Sequence, residues 1–278
     1  MCRLYGFHAT APTKVECTLV HAQNALLMQS RLDSRGEVNA DGWGIAYYHD
    51  GEPEVERCDR AAFDDILFGA TAERMFAKTV VAHIRKATIG SVAFVNTHPF
   101  VHGRWTFAHN GTITAFRKIR SELESETAPE LQKHRRGASD SEQAFYWILT
   151  RLARAGIDLG ESAAQLDTLM KVVGDSVAHL AERNDKAGAE RPGRLNFLLT
   201  NGETLVASRW NNTLHWVQRL GVHDCEICGI PHIHREEDAG YRAAVVASEP
   251  ISEESWQEVP QAHIIGVDNS IGIEVRPM

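Results

Sequence analysis

Ser139-Asp140-Ser141-Glu142-Gln143-Ala144-Phe145-Tyr146-Trp147-Ile148-Leu149 is where the chain changes character. Ser139 or Asp140 can cap a helix, and an acidic residue in the first turn completes a recognisable helix start. Ala144, Phe145, Trp147, Ile148, Leu149 and Leu152 then supply its apolar side. A second helix is expected over about Glu161–Arg183, before the linker-like Asn184–Arg194 with Gly188, Pro192 and Gly193. On both sides of this helical block the pattern is that of strands.

Upstream, Arg3–His8, Trp43–His49, Thr79–Arg85 and Arg104–His109 are β-branched and aromatic runs bounded by Gly, Asp or Asn. Downstream, Leu195–Thr200, Thr204–Ser208, Thr213–Arg219, Tyr241–Ser248 and Ala262–Val267 read the same way, with Asn201-Gly202 as a hairpin turn. Within Asp59–Lys78, the residues Phe63, Ile66, Leu67, Ala70, Met75 and Phe76 have spacings suited to an amphipathic helix. Arg120–Gly137, mixed in charge and holding Pro129, reads as a solvated loop with a helical turn. Strands, two helices, then strands again predict an α+β layered architecture of mainly antiparallel pairs, not a doubly wound sheet. One domain over residues 2–278 is the expectation.

Composition narrows the function. The 278 residues are 43% hydrophobic and 24% charged, which fits an ordinary globular protein and excludes wholesale disorder, collagen or a bare coiled coil. A net charge of −8 gives no bulk basic field for nucleic acid or anionic lipid. No apolar run approaches the roughly 18 residues needed to cross a bilayer, and the first residues lack the apolar core of a signal peptide. Five scattered cysteines make a poor disulfide framework. These features predict a soluble cytoplasmic protein.

Four features carry chemistry. Removal of Met1 would leave Cys2 with a thiol and a free α-amine on one residue. An α-amine titrates near pH 7.7–8.0, about where it can serve as a built-in base. Arg85, closing the apolar run Ala82-His83-Ile84-Arg85, would be costly to bury without an anionic partner, and its planar fork suits a carboxylate. Either a structural ion pair or a ligand would satisfy it. In His109-Asn110-Gly111 the Asn amide and a Gly backbone N–H could hold an oxyanion, although Asn-Gly after a strand is often only a turn. Asp140 is a helix cap on one reading and a partner for a substrate ammonium on another.

These motifs occur together in one order: Met1-Cys2-Arg3-Leu4, Asn39-Ala40-Asp41-Gly42-Trp43-Gly44, Ala82-His83-Ile84-Arg85, Asn96-Thr97-His98-Pro99-Phe100, His109-Asn110-Gly111, Ser139-Asp140-Ser141-Glu142 and Ala247-Ser248-Glu249-Pro250. The set, from residue 1 to about 250, resembles the class II glutamine amidotransferases, N-terminal-nucleophile hydrolases, and most closely their small stand-alone type. The resemblance implies a four-layer αββα sandwich of two antiparallel sheets between helical layers. It implies Cys2 as nucleophile, Asn110 and Gly111 as oxyanion hole, Arg85 for the substrate α-carboxylate and Asp140 for its α-ammonium. Thr88, His98 and Trp43 would line the pocket, with Asp41–Gly44 shaping the wall near the thiol.

The implied reaction is hydrolysis of the γ-amide of glutamine, or of another γ-glutamyl compound, through a Cys2 thioester without metal or organic cofactor. Ammonia would pass to a separate synthase subunit or be released. The alternatives are a γ-glutamyl hydrolase of the ergothioneine-pathway kind and a non-catalytic binding or regulatory protein on the same fold. No nucleic-acid or membrane partner is expected. One segment stands apart: Cys225, Cys228, His232 and His234 offer four ligands within ten residues, enough for one tetrahedral zinc, or else mark a surface loop shaping access for substrate.

Overall fold

The computed structural model describes residues 2–161, 164–233 and 240–278. The first block holds β1 (Arg3–Thr13), α1 (Leu26–Arg31), β2 (Trp43–His49), β3 (Glu52–Cys58), α2 (Ile66–Arg74) and β4 (Ala77–Ile84). After it come β5 (Phe100–His102), β6 (Trp105–Thr112) and the helices α3 (Phe116–Glu126), α4 (Pro129–Gln132), α5 (Asp140–Arg154) and α6 (Leu166–Lys186). The chain closes with β7 (Arg194–Thr200), β8 (Leu205–Arg209), β9 (His215–Leu220), β10 (Arg242–Ala247), β11 (Gln257–Glu258), β12 (His263–Val267) and β13 (Ile273–Pro277).

These strands form a 7-stranded sheet, ordered β11-β9-β10-β1-β4-β2-β3, and a 6-stranded sheet, ordered β13-β12-β8-β7-β6-β5. All strand pairs among the described residues are antiparallel. Alternation along the strands separates three apolar cores. Leu4, Val81, Ala108, Leu198, Ala207 and Val246 pack between the sheets. Tyr5, Phe7, Ile45 and Val80 face the other way, toward Leu26 of α1 and Phe68 of α2. On the outer face of the second sheet, Phe107, Phe197 and Leu199 meet Ile119, Phe145, Leu149 and Val177 from α3, α5 and α6. The result is helix, sheet, sheet, helix, the four-layer arrangement expected.

Ser139 caps α5, its Oγ accepting the Glu142 N–H at 3.1 Å. The Asn201-Gly202 turn joins β7 to β8, with Asn201 Oδ1 accepting the Thr204 N–H at 2.9 Å and Gly202 at φ +94°. Two expectations need correction. Arg120–Gly137 is largely helical, because Phe116, Ile119, Leu123 and Leu131 bury one stripe beneath a charged exterior. The helix in Asp59–Lys78 is confined to α2, and the expected face is wrong: Ile66 is 86% exposed while Phe68, Thr71 and Ala72 are buried. Asp65 starts that helix by accepting the Leu67 N–H at 3.1 Å, which sets its rotation.

Candidate active site

The leading end of β1 lies between its neighbours β4 and β10, and it carries Cys2 to the edge of the inter-sheet space. Cys2 precedes Arg3 and has the same parity as Leu4, whose side chain lies between the sheets. It is buried, and its Sγ accepts the Lys86 N–H at 3.2 Å. Burial raises the thiol pKa; the Lys86 N–H and the Arg85 charge pull it down and Asp140 pushes it up, with a net upward shift. The sulfur is therefore a protonated thiol at rest and needs a base to become nucleophilic.

Arg85 follows β4, the strand beside β1. The residue is 3% exposed, and its guanidinium donates to the backbone oxygens of Ser91 (3.0 Å) and Ile89 (3.4 Å). Burial depresses its pKa, partly offset by Cys2, Asp41 and Asp140. None of the ion pairs among the described residues includes Arg85. The structural ion pair that would explain this residue is thus missing, and a buried cation faces a cleft.

Asp140 opens α5, where its Oδ2 accepts the Ile113 N–H at 2.7 Å. The cleft is lined by Cys2, Arg85, Thr88, His98, Gly111 and Asp140, among others. Its free space is about 10 Å³, room for about one water. His98 is buried with neither ring nitrogen hydrogen-bonded. Its ring lies 4.2 Å from that of His83, and burial holds its pKa well below the usual value, so it is a neutral, unsatisfied polar wall. Thr88 Oγ1 is 2.8 Å from Thr112 Oγ1.

Asn110 and Gly111 lie next to the end of β6. Asn110 shares parity with inter-sheet Ala108, and its Nδ2 donates to Ser248 Oγ at 2.9 Å, leaving one amide hydrogen for another acceptor. Gly111 is required by close approach: a Cβ there would lie 1.8 Å from the Arg194 backbone oxygen.

Trp43 does not belong to this group. Its indole points into the core on the far side of the first sheet, donating to Asp65 Oδ2 at 3.0 Å and packing edge-on against Phe68. The neighbouring Gly44 does meet the wall, since a Cβ at 44 would come 2.1 Å from the His98 backbone oxygen. Asp41 Oδ2 accepts the Ala87 N–H at 2.8 Å, fixing the chain just after Arg85.

Several residues that support the thiol had no role in the sequence reading. Arg3, buried at 2% exposure, donates from Nη1 to the Cys2 carbonyl at 3.0 Å. Its Nη2 pairs at 2.6 Å with both Asp33 and Glu249. Ser248 Oγ accepts the Leu4 N–H at 2.9 Å as well as the Asn110 amide, so one hydroxyl ties β1 to β6. Arg3 and Ser248-Glu249 stood in quoted motifs, but only the fold reveals what they touch.

A family model for the class II glutamine amidotransferases matches residues 1–269. The chain belongs to the class II glutamine amidotransferases. Among the relatives of this amidotransferase, a probable glutamine amidotransferase of Saccharomyces cerevisiae is 29% identical over 96% of this chain and 82% of that protein. A γ-glutamyl-hercynylcysteine sulfoxide hydrolase of Mycobacterium tuberculosis is 27% identical over 96% of this chain and 93% of that one. The fold matches a glutamine aminotransferase class-II domain protein of Silicibacter pomeroyi with a TM-score of 0.65 at 19% identity, covering 100% of this chain and 99% of that one. It also matches the glutamine phosphoribosylpyrophosphate amidotransferase of B. subtilis, TM-score 0.59 at 15% identity, over 99% of this chain and 49% of that one.

Proposed function

We propose that this amidotransferase hydrolyses a γ-glutamyl amide through a thioester on Cys2, after removal of Met1. The observation that carries the reading is the buried, ion-pair-free guanidinium of Arg85 sharing one cleft with Cys2 and Asp140. Arg85 takes the substrate α-carboxylate in a bidentate grip, and Asp140 takes the α-ammonium. With the head group held, the side-chain carbonyl lies against the sulfur.

The α-amine of Cys2 removes the thiol proton, which suits a thiol whose pKa burial has raised. Attack forms the C–S bond and a tetrahedral oxyanion, received by the free Asn110 amide hydrogen and the Gly111 N–H. Collapse breaks the C–N bond, and the proton held by the α-amine leaves with ammonia or another amine. Water then attacks the thioester carbonyl, releasing glutamate and restoring the thiol. Thr88 and the unsatisfied ring of His98 complete the wall. The cleft of about 10 Å³ is too small for a glutamyl head, so the Ser91 and Ile89 carbonyls on Arg85 give way when the carboxylate binds.

A second reading concerns what leaves. The near end-to-end similarity to a γ-glutamyl-hercynylcysteine sulfoxide hydrolase supports a larger γ-glutamyl small molecule as a substrate beside glutamine, which the equally extensive similarity to a probable glutamine amidotransferase supports; delivery of ammonia to a separate synthase subunit is the other course. We take residues 2–278 as one catalytic unit and the cytoplasm as its place, on the strength of five free cysteines. No described helix is long and apolar enough to cross a membrane.

The test is turnover of a panel of γ-glutamyl compounds by purified protein whose intact mass lacks Met1, with a glutamine-analogue electrophile as label. Labelling confined to Cys2 and silence of Cys2→Ala on every compound are expected. Hydrolysis that survives in Cys2→Ala would sink the reading.

A further inference from the structure

Far from this cleft, the structure assembles a second set of reactive side chains. Cys17 begins a short helical turn, Cys17–His21, that follows β1, whereas Cys225, Cys228 and His232 lie on the loop between β9 and β10. Their four candidate ligand atoms all lie within 4.8 Å of one another. Ligands around a tetrahedral zinc at about 2.3 Å sit about 3.8 Å apart, so the cluster needs only a small contraction to close on an ion. Cys2 and Cys17 flank opposite ends of β1, whose 11 residues span on the order of 35 Å when extended. The cluster therefore plays no part in the acyl chemistry.

We infer that Cys17, Cys225, Cys228 and His232 form a closed structural zinc site that fastens the β9–β10 loop to the end of β1. Three thiolates and one imidazole are the soft and borderline donors zinc takes in four-coordinate sites, and four protein ligands leave no open position for catalysis. Cys17 takes the place that the sequence reading gave to His234, which lies outside the described residues. No spacing rule reveals Cys17, because it is distant in the chain and only the pairing of β1 with β10 brings it close.

The local backbone is already shaped for such a site. The Ile227 N–H points at Cys225 Sγ, 3.4 Å away, as a donor that stabilises a thiolate. Cys228 Sγ lies 3.2 Å from His232 Nε2, so both aim at one centre. The Gly229 N–H donates to the Cys225 oxygen at 2.8 Å with Gly229 at φ +72°, the left-handed bend that turns the chain back after the second cysteine. The Lys14 N–H, just ahead of Cys17, donates to the His232 oxygen at 2.9 Å.

Val222 and Ile233 pack against the core at the two described ends of the loop, but the stretch between them has little else to order it. Beside the cysteines, Ile227 and Ile230 are 41% and 62% exposed, and a hollow of about 280 Å³ lies beneath. Small elements without a core are commonly held by a metal or disulfide. All three cysteines are free thiols, which points to the metal.

Elemental analysis of the full chain, purified without chelators, tests this. About one zinc per chain is expected, as for a structural site. Cys17→Ser and Cys228→Ser should each lose it, while Cys58→Ser, outside the cluster, should keep it. Cys228 is exposed, so its variant carries the test even if Cys17→Ser fails to fold. Protein produced with cobalt should show the intense visible absorption of a tetrahedral thiolate-rich centre, absent in Cys228→Ser. Wild-type protein free of zinc, a disulfide between any two of these cysteines, or zinc retained in both serine variants would overturn the assignment.

Discussion

Ser248 shows how a residue that takes no part in the proposed chemistry positions one that does. Its hydroxyl accepts the Leu4 N–H and the Asn110 amide, so it decides where the remaining Asn110 hydrogen points. Ser248→Ala should lower kcat on the order of tenfold with KM nearly unchanged, short of the roughly 10²–10³ expected when an oxyanion donor is itself removed. A change confined to KM would contradict this role. Arg85→Ala should instead raise KM, costing about 10- to 100-fold in kcat/KM as charged hydrogen bonds to substrate are lost. At this scale the sequence made a neighbourhood legible, though not the roles within it: Cys2, Arg85, Gly111 and Asp140, from four separate segments, line one cleft, with Asn110 preceding Gly111. Trp43 misled because a motif conveys proximity along the chain but not which face of β2 a side chain takes; with odd parity it joins Ile45 and Phe68 in the core.

Among the elements, the helices were read well where a polar cap abuts a dense apolar run and poorly where charge dilutes the pattern. Ser139 is the clear case. Ser139→Ala should cost about 1 kcal/mol of stability and loosen the turn bearing Asp140, seen as a lower denaturation midpoint with a raised KM. Helix α3 was hidden because Arg117, Lys118, Arg120, Glu122 and Glu124 outnumber its buried positions. Leu123 is fully buried all the same. Leu123→Ala should therefore destabilise by about 2–5 kcal/mol; a solvated loop at this position would show almost none of that loss in a denaturant titration. Strand β3 went unseen for a related reason. Glu52, Pro53, Glu54 and Glu56 give it the charged, proline-bearing surface of an edge strand, which it is.

The whole molecule stores a dependence on pH. His8 and His83 are buried neutral, with pKa values lowered by burial to about 4 and about 3. In the unfolded chain each titrates near 6.5, so the native state binds fewer protons between these limits. The stability due to these groups is complete above pH 6.5 and is lost as pH falls toward their folded values. At pH 5 the pair should have withdrawn on the order of 4 kcal/mol, a drop that thermal melts at pH 7 and pH 5 would register; equal melting temperatures would refute it. The layered plan itself was foreseeable from the order of strands and helices, whereas the meeting of Cys17 with Cys225 and Cys228 was not, since such long-range neighbours exist only once the sheet is assembled. Gly44 has a further consequence. Because its bare backbone lies directly beneath the His98 carbonyl, a single added methyl would have to displace backbone as well as the Arg57 and Pro99 side chains. Position 44 is thus closed to every larger residue: even alanine would strain the strand from behind the wall of the proposed cleft, although it touches no atom assigned to the chemistry.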